Sequence, residues 1–441
     1  MITESLARFV AETRLDKIPE QALHGAKRCL MDWLGVALAG SHHESVSILL
    51  DVLGRETIPE SKVIGRDLRI DFLNSALVNA YMAHVLDYDD THLYSFVHPS
   101  APVWSPIMAL LNRIPMSGME ALLAFVLGFE VETRIGMAMK PYMLQRGWHM
   151  TGMVGGIGAS AAIGKLLNLN VEQQMHAFGI TATYASGLGE VLGSMSKALH
   201  PGKAAQSGLF AALLAKKGFT GPANVFDAPR GFFNVHVGLT GFDEIVLSGL
   251  GETFEINRDS FKPYPSGVVT HPSIEAMIAI RNEHRVDPEE IDQIQLEVHP
   301  MALDVTGKRA PRTGLEGKFS VYHCVAAACI DGTCGLDQLT DEKVQNRQIT
   351  DLRGKIVAIR NDSFSNAEAK VTVSLKDGRR IEKHIPHASG TDHNPLSDKQ
   401  LQTKYEQNAR LVLGEKNIAK LSELIWNLDA SGNIGEMLKL V

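Results

Sequence analysis

Between His84 and His98 the chain carries His84, Asp87, Asp89, Asp90, His92 and His98, three carboxylates and three imidazoles in fifteen positions, with Tyr88, Thr91 and Ser100 alongside. Such a set is costly to hold together unless its members titrate, pair or bind something. On a helix, Asp87, Asp90 and Thr91 share one face at spacings of three and four, which turns two carboxylates into one pocket while Asp89 faces elsewhere. The plainer alternative is a solvated helix end capped by Asp and Thr. Tandem carboxylates serve as acid, base or hydrogen-bond orienter, and with His they also ligate metals. No H-x-x-x-H or C-x-x-C spacing supports a metal, and none is expected.

Two further clusters lie downstream. Gly147-Trp148-His149-Met150-Thr151-Gly152 runs into GGIGASA, which satisfies G-x-G-x-x-A from Gly156 to Ala161. No strand precedes it, so the dinucleotide-binding reading fails; the small residues suit close approach of two helices, or of a helix and a ligand. His149 is either a structural histidine or a functional one. MSKALHPGKAA then sets Lys197, His200 and Lys203 around a Pro-Gly break before an apolar helix, a seat for a carboxylate or phosphate beside a helix N-terminus. The competing reading is two solvated lysines at a helix junction. Ala204 stands where a phosphate-binding loop needs a hydroxyl, which makes nucleotide binding improbable. FKPYPSG with Lys262 and His271, and EGKFSVYH with Lys318, Tyr322 and His323, each place a Lys near a His and are weak alone.

These residues must be positioned by a large scaffold. The 441 residues are 45% hydrophobic with a net charge of −7, enough for two to three domains and a sizeable core. Mild acidity gives no pull towards nucleic acid or anionic lipid, so an anionic ligand has to be gripped by local cations. The longest apolar run, Ala121 to Phe129, is bracketed by glutamates and far short of a membrane span of about 20 residues. No signal peptide is read at the N-terminus, and four unpatterned cysteines fit a reducing cytoplasm.

Apolar spacing predicts helices over the first 250 or so residues, including Ser160–Leu167 and Ala204–Lys216, with no strand. Past Gly251 the texture changes. Ile291–Val298 alternates as a strand, and Ala369–Leu375, a Lys376–Arg379 turn and Arg380–Ile385 read as a hairpin. Helical patterns at Pro272–Glu283, Lys318–Ile330 and Asp341–Gln348 lie between them. After Pro395 amphipathic helices return, suited to packing on the first domain. The fold class expected is mainly α with a smaller α/β domain.

LDYDDTH with HPS, GWHMTG, MSKALHPGKAA, FKPYPSG and EGKFS, in this order, together with KRCLMDWLGVALAG near the start, resemble the MmgE/PrpD family. The resemblance implies a large all-helical bundle domain completed by both chain ends (residues 1–258 and 396–441) and an α/β lid domain (259–395), a likeness to homodimers, and no metal or organic cofactor. It implies one of three activities on a small polycarboxylate: 2-methylcitrate dehydratase, cis-aconitate decarboxylase or iminodisuccinate epimerase. Carried over by position, the family's pocket falls on Asp87, Thr91, His98, His149, Lys197 and Lys262, with Tyr322 or His323 beside it. Tyr142 and Arg146 are candidate substrate contacts. Ser266 and Gly267 stand where many relatives carry a His or Cys, with His271 nearby.

The chemistry of these residue types fits. Lys197, Lys203, Lys262 and protonated histidines supply cations for a polycarboxylate. His149 or Lys197 is the candidate base, and His98, held by Asp87, the candidate acid for a leaving hydroxyl. The leading expectation is a cofactor-independent lyase that dehydrates a hydroxy di- or tricarboxylate. The alternatives are an epimerase or decarboxylase on the same scaffold, or a carboxylate-binding protein without turnover. A terpene cyclase, prompted by D-x-D-D at Asp87–Asp90, is poorer, since 6% aromatics supply few π-faces for carbocations.

Overall fold

Small residues set how the long helices of the first half cross. In the computed structural model, which describes residues 1–53 and 58–441, the glycine run lies inside the Met150–Leu166 helix, packed between Gly118–Arg146 and Leu199–Lys216. A Cβ added to Gly208 would lie 2.4 Å from the Ala159 Cβ, and one on Gly158 would lie 2.8 Å from the Gly128 carbonyl oxygen. The backbones approach only because those side chains are missing. The expected segments Ser160–Leu167 and Ala204–Lys216 thus fall within longer helices. Glu20–Gly40, Phe72–Val85 and Ser100–Leu110 complete the body around a large core, and Ile2, Leu6, Ile135, Met153 and Phe233 belong to a second one beside it. One two-residue ladder, Ser61–Lys62 against Arg69–Ile70, interrupts the helical first half. Among the described residues no helix is long and apolar enough to cross a membrane.

The second part is α/β, so the protein is mainly α with a smaller α/β part. Its four-stranded sheet runs in the order Ile356–Arg360, Ile291–Val298, Ala369–Leu375, Arg380–Ile385. The first pair is parallel, with Ile294 opposite Ile356; the others are antiparallel, with Leu296 opposite Val371 and Val373 opposite Ile381. The hairpin turns at Gly378, whose φ of 88° is a conformation that favours glycine. Ile294, Leu296, Val298, Val371 and Val373 bury one face against helices His271–His284 and Val321–Asp331, forming a separate core. The strand Ile356–Arg360 was not anticipated, because five residues at a sheet edge leave little periodicity to read. The single helix expected over Asp341–Gln348 is two, since the Asn346 side chain accepts from the Ile349 N–H and starts a new helix there.

The chain then returns to the body. Leu401, Tyr405, Ile418, Leu421 and Ile425, from helices Asp398–Ala409 and Glu415–Trp426, share a core with Leu30 and Leu34. Lys404 Nζ reaches Asp32 Oδ1 at 2.6 Å and the Tyr88 carbonyl at 2.7 Å, which ties the returning tail to the segment carrying the acidic cluster. A buried pair like this fixes register more than it adds stability.

Candidate active site

A cavity of about 300 Å³ opens where the α/β part meets the helical body. Asp87, Thr91, His98, His149, Lys197 and Lys262 make up the polar part of its lining and Phe96, Leu192, Val268, Val269, Val305 and Phe319 the apolar part, with Lys197 Nζ 5.4 Å from the Phe319 ring centre and exposed Glu190 and Asp304 also on the lining.

The polar part is made where a helix stops. Phe72–Val85 ends at Leu86, and Asp87 turns out of it with φ 52°, so residues 87–91 do not form the helical face expected from their spacing. The outcome inverts that expectation. Asp89 points to the histidines of the site, whereas Asp90 turns away to the Ser100 hydroxyl, close to Asp259 and Cys29. Asp87 stays at the centre: its Oδ1 accepts from Lys197 Nζ at 2.7 Å and lies 3.2 Å from Lys262 Nζ, which also donates to the Asp87 carbonyl at 2.9 Å. Burial opposes ionisation of Asp87, but the two ammonium groups more than offset it and hold its carboxyl well below the usual range.

The hydrogen bonds assign tautomers. An ammonium only donates, so Lys197 Nζ, 2.7 Å from His84 Nε2, needs a lone pair there. The His84 proton is therefore on Nδ1, where Asp89 Oδ2 accepts it at 2.7 Å. His98 is likewise protonated on Nδ1, which faces the Asp90 carbonyl at 2.8 Å and the Thr91 hydroxyl at 3.1 Å. Its Nε2 is then a bare acceptor. The expected hold of Asp87 on His98 is replaced by that of Asp90 and Thr91, with Asp89 Oδ1 at 3.7 Å. His149 caps the Met150–Leu166 helix; its Nδ1 meets His200 Nδ1 at 2.9 Å, and its Nε2 is buried without a partner. Burial pushes His84, His98 and His149 below the ordinary imidazole value, His98 and His149 well below. Burial therefore works against the imidazolium form expected of these rings. Burial also lowers Lys197, though Asp87 works to keep it charged.

Other expected residues lie elsewhere. Lys203 is on the outer face of Leu199–Lys216, bonded to Gln206, because the helix runs on through the Pro-Gly pair instead of starting after it. Tyr322 is in the α/β core under Arg309, and His323 Nε2 donates to the Gln338 carbonyl at 2.8 Å. Tyr142 packs on Phe242, and Arg146 donates to the Val237 carbonyl. None of these five lines the cavity, and neither does His271, whose ring lies against Tyr264. His84, Asp89, His200 and Lys318 belong to the same sequence motifs, and the structure adds them to the surroundings of the site. Lys318 is buried below Asp87, donating to the Leu86 and Pro265 carbonyls, with its pKa pushed down to about 8 by burial. The apolar part had no signal at all, since single valines carry none.

His84, His98 and His149 each bring a ring nitrogen within 4.8 Å of the others. As a metal seat this set is poor, because the Lys197 ammonium already occupies the His84 lone pair and repels a second cation. What the arrangement offers is two ammonium groups for carboxylates, a bare imidazole nitrogen on His98 and a second imidazole edge on His149.

The chain matches the MmgE/PrpD N-terminal domain over residues 4–245 and the MmgE/PrpD C-terminal domain over residues 264–430. It belongs to the MmgE/PrpD family. It is 27% identical to a cis-aconitate decarboxylase-like protein of Aspergillus oryzae, over all of this chain and 97% of the relative. It is 26% identical to the cis-aconitate decarboxylase of Mus musculus, over 97% of this chain and 91% of the relative. It is 22% identical to the mitochondrial 2-methylcitrate dehydratase of Yarrowia lipolytica, over 97% and 88%.

Proposed function

We propose that this protein is a lyase that decarboxylates an unsaturated tricarboxylate of the cis-aconitate type, rather than one whose main reaction is dehydration. The observation that carries the reading is the mixed lining of the cavity, where Lys197 and Lys262 stand with Val268, Val269, Val305 and Phe319, the Lys197 ammonium lying 5.4 Å from the Phe319 ring centre. Carboxylates that the substrate keeps pair with the lysines. A carboxylate turned to the apolar residues loses its hydration, which favours its departure as neutral carbon dioxide. In the reaction the CH2–CO2 bond breaks and its electron pair forms a new terminal double bond. The pair of the old double bond takes one proton at the former vinylic carbon. His149 Nε2 is the proposed donor of that proton. The similarity to cis-aconitate decarboxylases over nearly the whole chain supports the same reading.

Dehydration is the second reading, favoured by the Thr91 hydroxyl beside His98, a polar edge suited to a leaving hydroxyl, and by the 2-methylcitrate dehydratases among the relatives. A cytoplasmic homodimer without a metal or organic cofactor accompanies either reading, supported by the family resemblance and by four buried, unpaired cysteines. Proton NMR of the chelator-treated protein with cis-aconitate, citrate and 2-methylcitrate in deuterated buffer is the test. Itaconate bearing one deuterium is expected. An alkene acid formed from 2-methylcitrate, with cis-aconitate untouched, would replace decarboxylation by dehydration, and deuterium exchange without loss of carbon dioxide or water would mark an epimerase.

A further inference from the structure

His149 and His200 meet edge to edge, Nδ1 to Nδ1, at 2.9 Å with ring centroids 5.1 Å apart. Two bare nitrogens would repel and two N–H groups would clash, so this contact holds one proton between two neutral rings. The pair spans from inside to outside. His149 is buried, with Nε2 unpartnered and its side chain on the cavity lining. His200 is only half-buried, and its side chain makes no other hydrogen bond within the protein among the described residues. The seat is shaped for this ring: a Cβ on Gly187 would meet His200 Nδ1 at 3.1 Å, and one on Gly152 would meet the His200 Cβ at 3.0 Å.

We propose that His200 is a positioning residue acting through His149, the outer half of a two-imidazole relay that carries protons from solvent to the cavity. In the loaded state His200 Nδ1–H donates to His149 Nδ1, and His149 carries its own proton on Nε2. When His149 Nε2 gives up that proton, its Nδ1 takes the one from His200 Nδ1, and His200 Nε2 takes one from water. Each ring gains one proton and loses one, so the net transfer is a single proton inward. Both rings then hold the opposite tautomers, and ring flips or a reverse passage of protons restore the loaded state.

The groups that face the pair keep it neutral. Burial comes first for both rings, lowering His149 well below its ordinary value and His200 to about 4, and Lys197 and His84 push both down further, with His98 acting on His149. A neutral pair passes a proton along without storing a charge. The inward direction of flow rests on the decarboxylation reading, which consumes one proton per turnover; the shared proton does not.

The test compares wild type with His200→Gln and His200→Phe. Gln keeps a donor for His149 Nδ1 but cannot pass a proton on, so it separates holding the ring from relaying. Expected for His200→Gln is a kcat lower by about tenfold to a hundredfold, a KM within about twofold, partial rescue by added imidazole, and a pH profile that tracks the added buffer. Unchanged kcat in His200→Gln overturns the relay. A readout independent of activity is the downfield proton between the two rings in histidine-labelled NMR spectra, present in wild type and lost in His200→Phe; its absence from wild type also overturns it. Wild type that shows the shared proton but leaves cis-aconitate untouched refutes the reaction assigned above and leaves the shared proton supported.

Discussion

Lys197 Nζ lies 2.7 Å from His84 Nε2, a contact between a buried ammonium and an imidazole that fixes the ring's tautomer. The consequence runs outward: His84 must present Nδ1–H to Asp89, and Asp89 is therefore the residue that holds Lys197 in position from two steps away. Lys197 in turn delivers its charge to Asp87 and to the cavity.

Asp89→Asn tests that chain. The amide keeps the size of the carboxyl but loses the charge, and its NH2 can donate to His84 Nδ1 and drive the proton to Nε2, against Lys197. The expected result is a fall in kcat of about a hundredfold with an unchanged circular dichroism spectrum and a KM within a few fold. Steady-state kinetics on cis-aconitate make the check, and activity within twofold of wild type would show that Asp89 does not govern Lys197.

Lys262 and Lys203 make a contrasting pair. Lys262 is buried against Asp87, and Lys203 is exposed on the far side of its helix. Lys262→Met is expected to raise KM for cis-aconitate by about tenfold or more, the loss of one charge-assisted contact of about 1.5–3 kcal/mol. Lys203→Ala is expected to stay within about twofold of wild type. Titration calorimetry with a non-reacting tricarboxylate separates binding from turnover.

That contrast also marks what the residue pattern could carry. The strands Ile291–Val298, Ala369–Leu375 and Arg380–Ile385 stand where alternation put them, because one face of each residue pair had to be buried. The polar clusters were legible as clusters. Which members face the cavity was not, since one residue, Asp87 with its positive φ, ends the helical register and exchanges the directions of Asp89 and Asp90. Lys203 was misplaced for a related reason: Pro201 sits in the first turn of the Leu199–Lys216 helix, where it needs no N–H, so the Pro-Gly pair begins a helix that the sequence suggested it would break. The apolar part of the cavity lining comes from segments 96, 192, 268–269, 305 and 319, and only the tertiary fold brings such scattered residues together.

The redirected Asp90 gives a pH signature of its own. Burial pushes Asp259 up to about 7 and Asp90 well above its ordinary value, with hydrogen bonds from Asp90 and others partly restraining Asp259. For a carboxyl whose folded value is raised, the folded state binds the extra proton. Its stabilising contribution is full below the unfolded value of about 4 and is lost as pH rises through about 7, with a slope of at most about 1.4 kcal/mol per pH unit. Asp259→Asn cannot ionise and removes this loss. Relative to wild type, its melting temperature is expected to climb from pH 5 to pH 8 in thermal melts. A constant offset across that range would show that Asp259 is ionised throughout.

The apolar part of the cavity lining carries the remaining prediction, because it separates the two lyase chemistries. Val268 and Val305 are half-buried, so a polar replacement at either does not bury an unsatisfied group in the protein core. Val305→Asn brings a hydrogen-bond donor to the place proposed for the departing carboxylate. A donor there solvates the anion in the ground state, and that stabilisation vanishes once the charge has spread into the forming double bond. Decarboxylation therefore predicts a lower kcat together with an equal or lower KM, because the substrate binds better and reacts worse. A rate effect of about tenfold corresponds to one weak hydrogen bond, about 1.4 kcal/mol. Dehydration predicts another pattern: all carboxylates are retained, a new donor helps ground and transition states alike, and KM falls with kcat unchanged. Measuring kcat and KM for Val305→Asn with both cis-aconitate and 2-methylcitrate tells which of the two reactions the apolar part serves.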